Sequence, residues 1–338
     1  MDVSWPRAAA TGVGSLPGDR PLEAATLVAG ELPDLVHLPE LPARGPGADI
    51  IGRAAAMLVD LHVDLTPSGW RLAARGGRDE RRARDYLAED LDSIEVAALG
   101  CTGVLKVQCA GPWTLAAMLE TPRGHRALGD AGARRDVLAS LAEGAATHVA
   151  EVARRVPGAT VVLQLDEPAL RAVADGRLPT ASGFGAVAAV PVPELVAALR
   201  EVVDAAGAAV GVHCCASDPP LDVVRAARPA FVSVDLSTLD PRRHYDDLGQ
   251  CVDDGAVLLC GIVPSAGSAA DLPQPSRADL APVLGLWRDL ALPADRLATQ
   301  VVVTPTCGLA GASPDYARAA LRHAREIARR LADEAGAA

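Results

Sequence analysis

Lysine is nearly missing from this chain: Lys106 is the only one in 338 residues. A Walker-type phosphate loop, which must end in Gly-Lys-Ser/Thr, is thereby excluded, and any Schiff-base chemistry would have to use Lys106. Aromatic residues are scarce, at 3%, which argues against a flat aromatic binding surface. Positive charge is in deficit. The formal net charge of −11 is opposite to the basic stripe with which a nucleic-acid binder displaces counterions. No uninterrupted apolar stretch reaches the ~18 residues that span a bilayer, so no membrane partner is expected. The N-terminal residues Val3-Ser4-Trp5-Pro6-Arg7 show no basic region followed by an apolar run, so no secretory signal is expected. The seven cysteines, an odd number in a long chain, lack the spacing of a disulfide scaffold and suit a reducing compartment. A cytoplasmic location is the expectation.

Apolar residues are plentiful. They make up 50% of the chain, enough for a sizeable core. Short runs rich in Val, Ile and Leu, the signature of buried parallel strands, recur eight times between longer helical patterns. They cover Ala8–Leu16, Leu35–Leu41, Val104–Ala110, Thr160–Leu165, Ala208–Cys215, Phe231–Leu236, Val257–Val263 and Gln300–Thr304. Helical patterns are read over Ala48–Asp60, Asp79–Leu99, Gly124–Arg155, Val192–Ala206, Pro219–Ala227, Pro241–Asp254, Arg277–Leu290 and Pro314–Ala335. Asp175–Val190 and Ser265–Ser276 read as surface excursions. Eight such units predict an α/β fold, a single (β/α)8 TIM barrel over residues 1–338, with a long helical insertion between strands two and three, at about 45–100. An open doubly wound sheet is the alternative that fewer strands would leave.

A (β/α)8 barrel builds its active site where the strands end. Polar residues stand there repeatedly: Ser15, Glu40, Gln108, Asp166, His213, Cys215, Asp235 and Cys307. Residues two apart on a strand share a face, so His213 and Cys215 project together while Cys214 points away. Imidazole and thiolate on one face make a zinc-type pair, to which Cys307 and Asp235 are placed to add further ligands. A single buried cysteine is more often a small core residue, and Cys101, Cys109, Cys251 and Cys260 are read that way. Asp235 also has the alternative of capping the following helix. Asp166 and Glu167 place two carboxylates at one strand end, suited to a substrate cation or to acid/base work, or else to a helix cap. Gly14 and Ser15, in Gly12-Val13-Gly14-Ser15, offer backbone N–H groups to a carboxylate.

These motifs, in this order, resemble the cobalamin-independent methionine synthase family. They are Gly14-Ser15-Leu16-Pro17, Gly111-Pro112-Trp113-Thr114, Gln164-Leu165-Asp166-Glu167-Pro168-Ala169, His213-x-Cys215 and Pro305-x-Cys307-Gly308-Leu309. The resemblance is to the family's C-terminal catalytic barrel and runs from about Thr11 to Ala324. It implies a zinc ion held by His213, Cys215 and Cys307, with Asp235 standing where the family has a glutamate. It implies homocysteine held by Gly14, Ser15, Glu40 and Asp166, with methyl transfer to its thiol giving methionine. Two departures accompany it. The family's additional N-terminal barrel has no counterpart here, nor does its catalytic histidine near the seventh strand, where this chain reads Cys260-Gly261-Ile262-Val263-Pro264-Ser265. The expected donor is therefore either a folate or a methylcorrinoid, free or on its carrier protein. The rival readings are a decarboxylase like the uroporphyrinogen enzyme, a corrinoid-dependent methyltransferase for another thiol such as coenzyme M, and a non-catalytic metal- or amino-acid-binding relative.

Overall fold

A computed structural model describes residues 3–180 and 182–336. The outermost two residues at each end of the expected 1–338 domain, and Ala181 of the expected 175–190 excursion, lie outside the described residues. Among the described residues ten strands form: β1 (Ala9–Ala10), β2 (Leu35–His37), β3 (His62–Thr66), β4 (Gly69–Ala73), β5 (Val104–Ala110), β6 (Thr160–Asp166), β7 (Ala209–Cys214), β8 (Phe231–Asp235), β9 (Val257–Val263) and β10 (Val301–Pro305). Between them lie α1 (Pro21–Glu31), α2 (Ile50–Met57), α3 (Arg78–Ala97), α4 (Pro112–Met118), α5 (Ala131–Arg155), α6 (Leu170–Ala174) and α7 (Val192–Ala205). The remaining helices are α8 (Leu221–Ala226), α9 (Pro241–Asp253), α10 (Ala281–Asp289), α11 (Leu297–Gln300) and α12 (Pro314–Gly336).

Eight strands form one sheet in the order β1-β10-β9-β8-β7-β6-β5-β2, every adjacent pair parallel. The sheet closes on itself through a parallel bridge between Ser15 and Glu40. That closure makes it a (β/α)8 barrel and removes the open-sheet alternative. The seam is thin for a local reason. Pro39 has no N–H to donate, so the β2 ladder stops at His37, and Gly12 and Gly14 interrupt the continuation of β1. Two hydrogen bonds, Leu16 N–H to Glu40 O at 2.8 Å and Glu40 N–H to Gly14 O at 3.2 Å, join the edges.

Several elements differ from the sequence reading: α6 and α11 are not in it, and Arg277–Leu290 is a 3-10 turn followed by α10. The connection over 45–100 is not all helical, because β3 and β4 form an antiparallel hairpin between α2 and α3. Gly124–Arg155 is not one helix: a 3-10 turn, Ala127–Gly129, precedes α5, whose start is fixed by Asp130 accepting from Gly132 N and Ala133 N at 3.0 Å each. Helix α4 follows Gly111 directly, with proline at its first position, where a missing N–H costs nothing. Among the described residues, no helix is long and apolar enough to cross a membrane.

Candidate active site

Period-two alternation decides what enters the barrel. On β5, Leu105, Val107 and Cys109 face the helices, so Val104, Lys106 and Gln108 face the interior. The same parity sends Val162, Gln164 and Asp166 inward from β6, and Phe231 and Ser233 inward from β8. At the amino ends of the strands these residues make an apolar plug of Ala9, Leu35, Val104, Val162, Ala209, Phe231, Val257, Leu259 and Val302, closed below by Trp5. Gly211 permits it, since a Cβ there would run into the Phe231 ring. One or two residues further up, the interior turns polar.

At the carboxyl ends His213, Cys215 and Cys307 converge, each with a ligand atom within 4.8 Å of the other two. His213 is held by Nδ1, 2.8 Å from the Ser233 hydroxyl, while its buried Nε2 has no hydrogen-bond partner. An imidazole fixed through one nitrogen with the other free is the usual state of a metal ligand. The two sulfurs lie 3.0 Å apart and both cysteines are free. Cys307 is pulled down to about 4, first by its contact with Cys215 and then by the neighbouring His213. Cys215 is pushed up by the same contact and by burial. One imidazole and two sulfurs around a free position fit the donor set of an open zinc site. Cys214, as its parity predicts, is buried away from the group, and burial pushes its thiol up to about 11.

Asp235 does not join them. Its carboxylate accepts from Ser237 N at 2.9 Å and Ser237 Oγ at 2.6 Å, closing a turn at the end of β8. Aspartates before turns commonly bond the N–H two residues on in this way.

Against the His/Cys group lies a cavity of ≈ 330 Å³ lined by Gly14, Ser15, Glu40, Asp166 and Gly308 among others. A Cβ on Gly308 would strike Ser15 Oγ, so glycine there leaves the hydroxyl its place at the cavity wall. Asp166 is buried, and its Oδ1 accepts from Gln164 Nε2 at 2.7 Å. Burial pushes its pKa up to about 7, with nearby Glu40 adding to the shift and His213 opposing it. Glu40 meets Arg53 Nε at 3.2 Å, and Arg53 pairs in turn with Asp90, which also takes Arg44 at 2.5 Å. Burial raises the Glu40 pKa while Arg53 opposes it. This chain of four charges was not visible in the sequence. It fastens α2 and α3 of the inserted region to the rim of the pocket.

Glu167 has a structural task. Its carboxylate accepts from Trp113 N at 2.9 Å, and from Thr114 N and Oγ1 at 2.8 and 2.7 Å, capping α4. A Cβ on Gly111 would collide with that carboxylate. Lys106 and Gln108 lie wholly buried beneath the pocket, with Lys106 Nζ donating to Val13 O at 2.8 Å.

A closed (β/α)8 barrel with an imidazole–dithiol group and a buried carboxylate at its carboxyl mouth defines a class of barrel with a metal-site donor set beside a small-molecule pocket. The chain matches the model of the cobalamin-independent synthase catalytic domain over residues 8–330 and belongs to that family. The fold is similar to that of a B12-independent methionine synthase from Shewanella sp. W3-18-1, solved in complex with selenomethionine. The TM-score is 0.64 at 12% identity, covering 98% of this chain and 100% of that one. A tryptophan synthase from Pyrococcus furiosus aligns over 97% of this chain and 99% of its own at 11% identity, but its TM-score of 0.41 carries no argument. Among curated proteins no relative matches significantly.

Proposed function

We propose that this chain transfers a methyl group to the thiol of homocysteine, giving methionine, with zinc as its metal. The observation that carries the reading is the convergence of the unpartnered His213 Nε2 and the Cys215 and Cys307 sulfurs on the wall of the cavity that also presents Ser15, Glu40 and Asp166. Zinc held by those three side chains would supply deprotonation of a thiol whose pKa is otherwise about 8.5. Asp235 is not needed in that set, and three protein ligands leave a position for a substrate sulfur.

The chain's own residues then bind and orient. Asp166 in its ionised form receives the substrate ammonium, and Glu40, steadied by Arg53, flanks it. The Gly14–Ser15 turn faces the substrate carboxylate. Holding the amino acid at three points aims its sulfur at the donor's methyl carbon and turns a bimolecular encounter into an oriented one. A carbon–sulfur bond forms, the bond from the methyl group to its carrier breaks, and the carrier leaves with the electron pair.

The test is to supply zinc-loaded protein with homocysteine and, in parallel, 5-methyltetrahydrofolate or methylcobalamin. Methionine formed with one donor supports the reading and identifies the donor class. No methionine from either, or equal turnover after zinc is stripped, contradicts it.

A further inference from the structure

A lysine buried inside a barrel is rare enough to require a reason. Lys106 is the chain's single lysine and wholly buried. No carboxylate lies within ion-pair distance of it among the described residues. Its ammonium is satisfied instead by Val13 O at 2.8 Å and Gln108 Oε1 at 3.3 Å. Burial pulls its pKa down to about 8, with the charges of Asp166 and Glu40 opposing.

The contacts have a common direction. Val13 O also accepts from Gln164 Nε2 at 2.9 Å, so two side chains from β5 and β6 grip one carbonyl. Gln108 Nε2 donates to Leu38 O at 2.5 Å, on the other edge of the seam. From that same edge His37 Nδ1 accepts from Gly12 N at 3.2 Å, its imidazole kept neutral first by burial and then by the nearby Lys106 charge. Apart from the link between Lys106 and Gln108, these bonds land on Gly12–Val13 or on Leu38. Those segments lead directly into Ser15 and Glu40, where the ladder between β1 and β2 is reduced to a single bridge. The barrel is weakest where the pocket needs it most rigid.

We infer that Lys106 is a positioning residue: with Gln108 and Gln164 it fastens the barrel seam from inside and thereby sets the spacing of Ser15, Glu40 and Asp166. Its function lies in the pocket rather than in general stability, because it bonds Val13 directly and reaches Leu38 through Gln108, with no bond to the apolar plug. The inference takes the substrate's identity from the proposed function, while the seam itself is a property of the fold.

Hydrogen exchange on Lys106→Met, which keeps the length and loses the charge and donors, tests the seam without substrate. The expected result is about tenfold or more loss of protection at the Leu16 and Glu40 amides, with β9 and β10 unchanged. In the methylation assay the KM for homocysteine rises about tenfold while kcat and zinc content stay within about twofold. Unchanged protection at both amides overturns the inference, as does a fall in kcat with no change in KM. If Lys106→Met does not fold, Gln108→Met decides: loss of protection at Glu40 supports the seam, and wild-type protection overturns it. Wild-type protein that shows no methylation would remove the proposed function alone, since the exchange result stands by itself.

Discussion

The two ends of the barrel interior use the same strands and the same inward face, yet they have opposite chemistry. At the amino end Val104, Val162 and Phe231 fill space against Trp5. Two residues further along the same strands stand Lys106, Gln164 and Ser233, buried just as deeply but tied into hydrogen bonds. Burial alone therefore does not distinguish core from site. What distinguishes them is whether removal costs packing or costs orientation, and the two ends should respond differently to substitution.

The largest contrast is between Cys307→Ala and Phe231→Ala. Cys307→Ala should abolish methylation and leave the protein without zinc, at little cost in folding stability, as zinc analysis and denaturant unfolding on one preparation would show. Phe231→Ala should lose about 3–5 kcal/mol of stability yet bind zinc normally in whatever remains folded. A Phe231→Ala protein stripped of zinc would mean the two ends are not separable.

A smaller effect is expected at Ser233. Ser233→Ala removes the partner of His213 Nδ1, and second partners of this kind are worth about 10–100-fold in metal affinity. Competition with a zinc chelator would measure it, and wild-type affinity would show that the ring is oriented by packing alone. The smallest effect is on pH. Burial raises Asp166 to about 7, so below that pH it is protonated and cannot pair with an ammonium. Methionine, which has the ammonium and no thiol, should bind more tightly as pH rises through about 7, and Asp166→Asn should flatten the curve. The same shift has a stability consequence of opposite sign. A carboxyl whose folded pKa is raised favours the fold while protonated, and that contribution fades as pH rises from the unfolded value towards about 7.

The barrel was legible because parallel strands buried on both faces are continuous apolar runs. Val104–Ala110 and Val257–Val263 emerge with the bounds read from the sequence. His213 and Cys215 were legible through strand parity, and Cys307 through its place after the last strand. What escaped depends on contacts distant in sequence or on side-chain reach. Arg53 meets Glu40 across thirteen positions and a change of element. Asp235 is diverted by Ser237 two residues on, which position alone does not reveal. The hairpin left a signal in Thr66-Pro67-Ser68-Gly69, a turn composition between two short strands. Lys106 and Gln108 share the parity of Val104, so their inward aim was also readable. Their bonds to Val13 and Leu38 were not.

The proposed methyl transfer rests on a three-ligand site with one position open to a thiol. X-ray absorption at the zinc edge, recorded with and without homocysteine, reads that position directly. One zinc per chain, with two sulfur and at least one nitrogen neighbours that become three sulfurs on adding homocysteine, is the predicted result. Unchanged coordination on adding homocysteine, or protein that takes up no zinc, would contradict it.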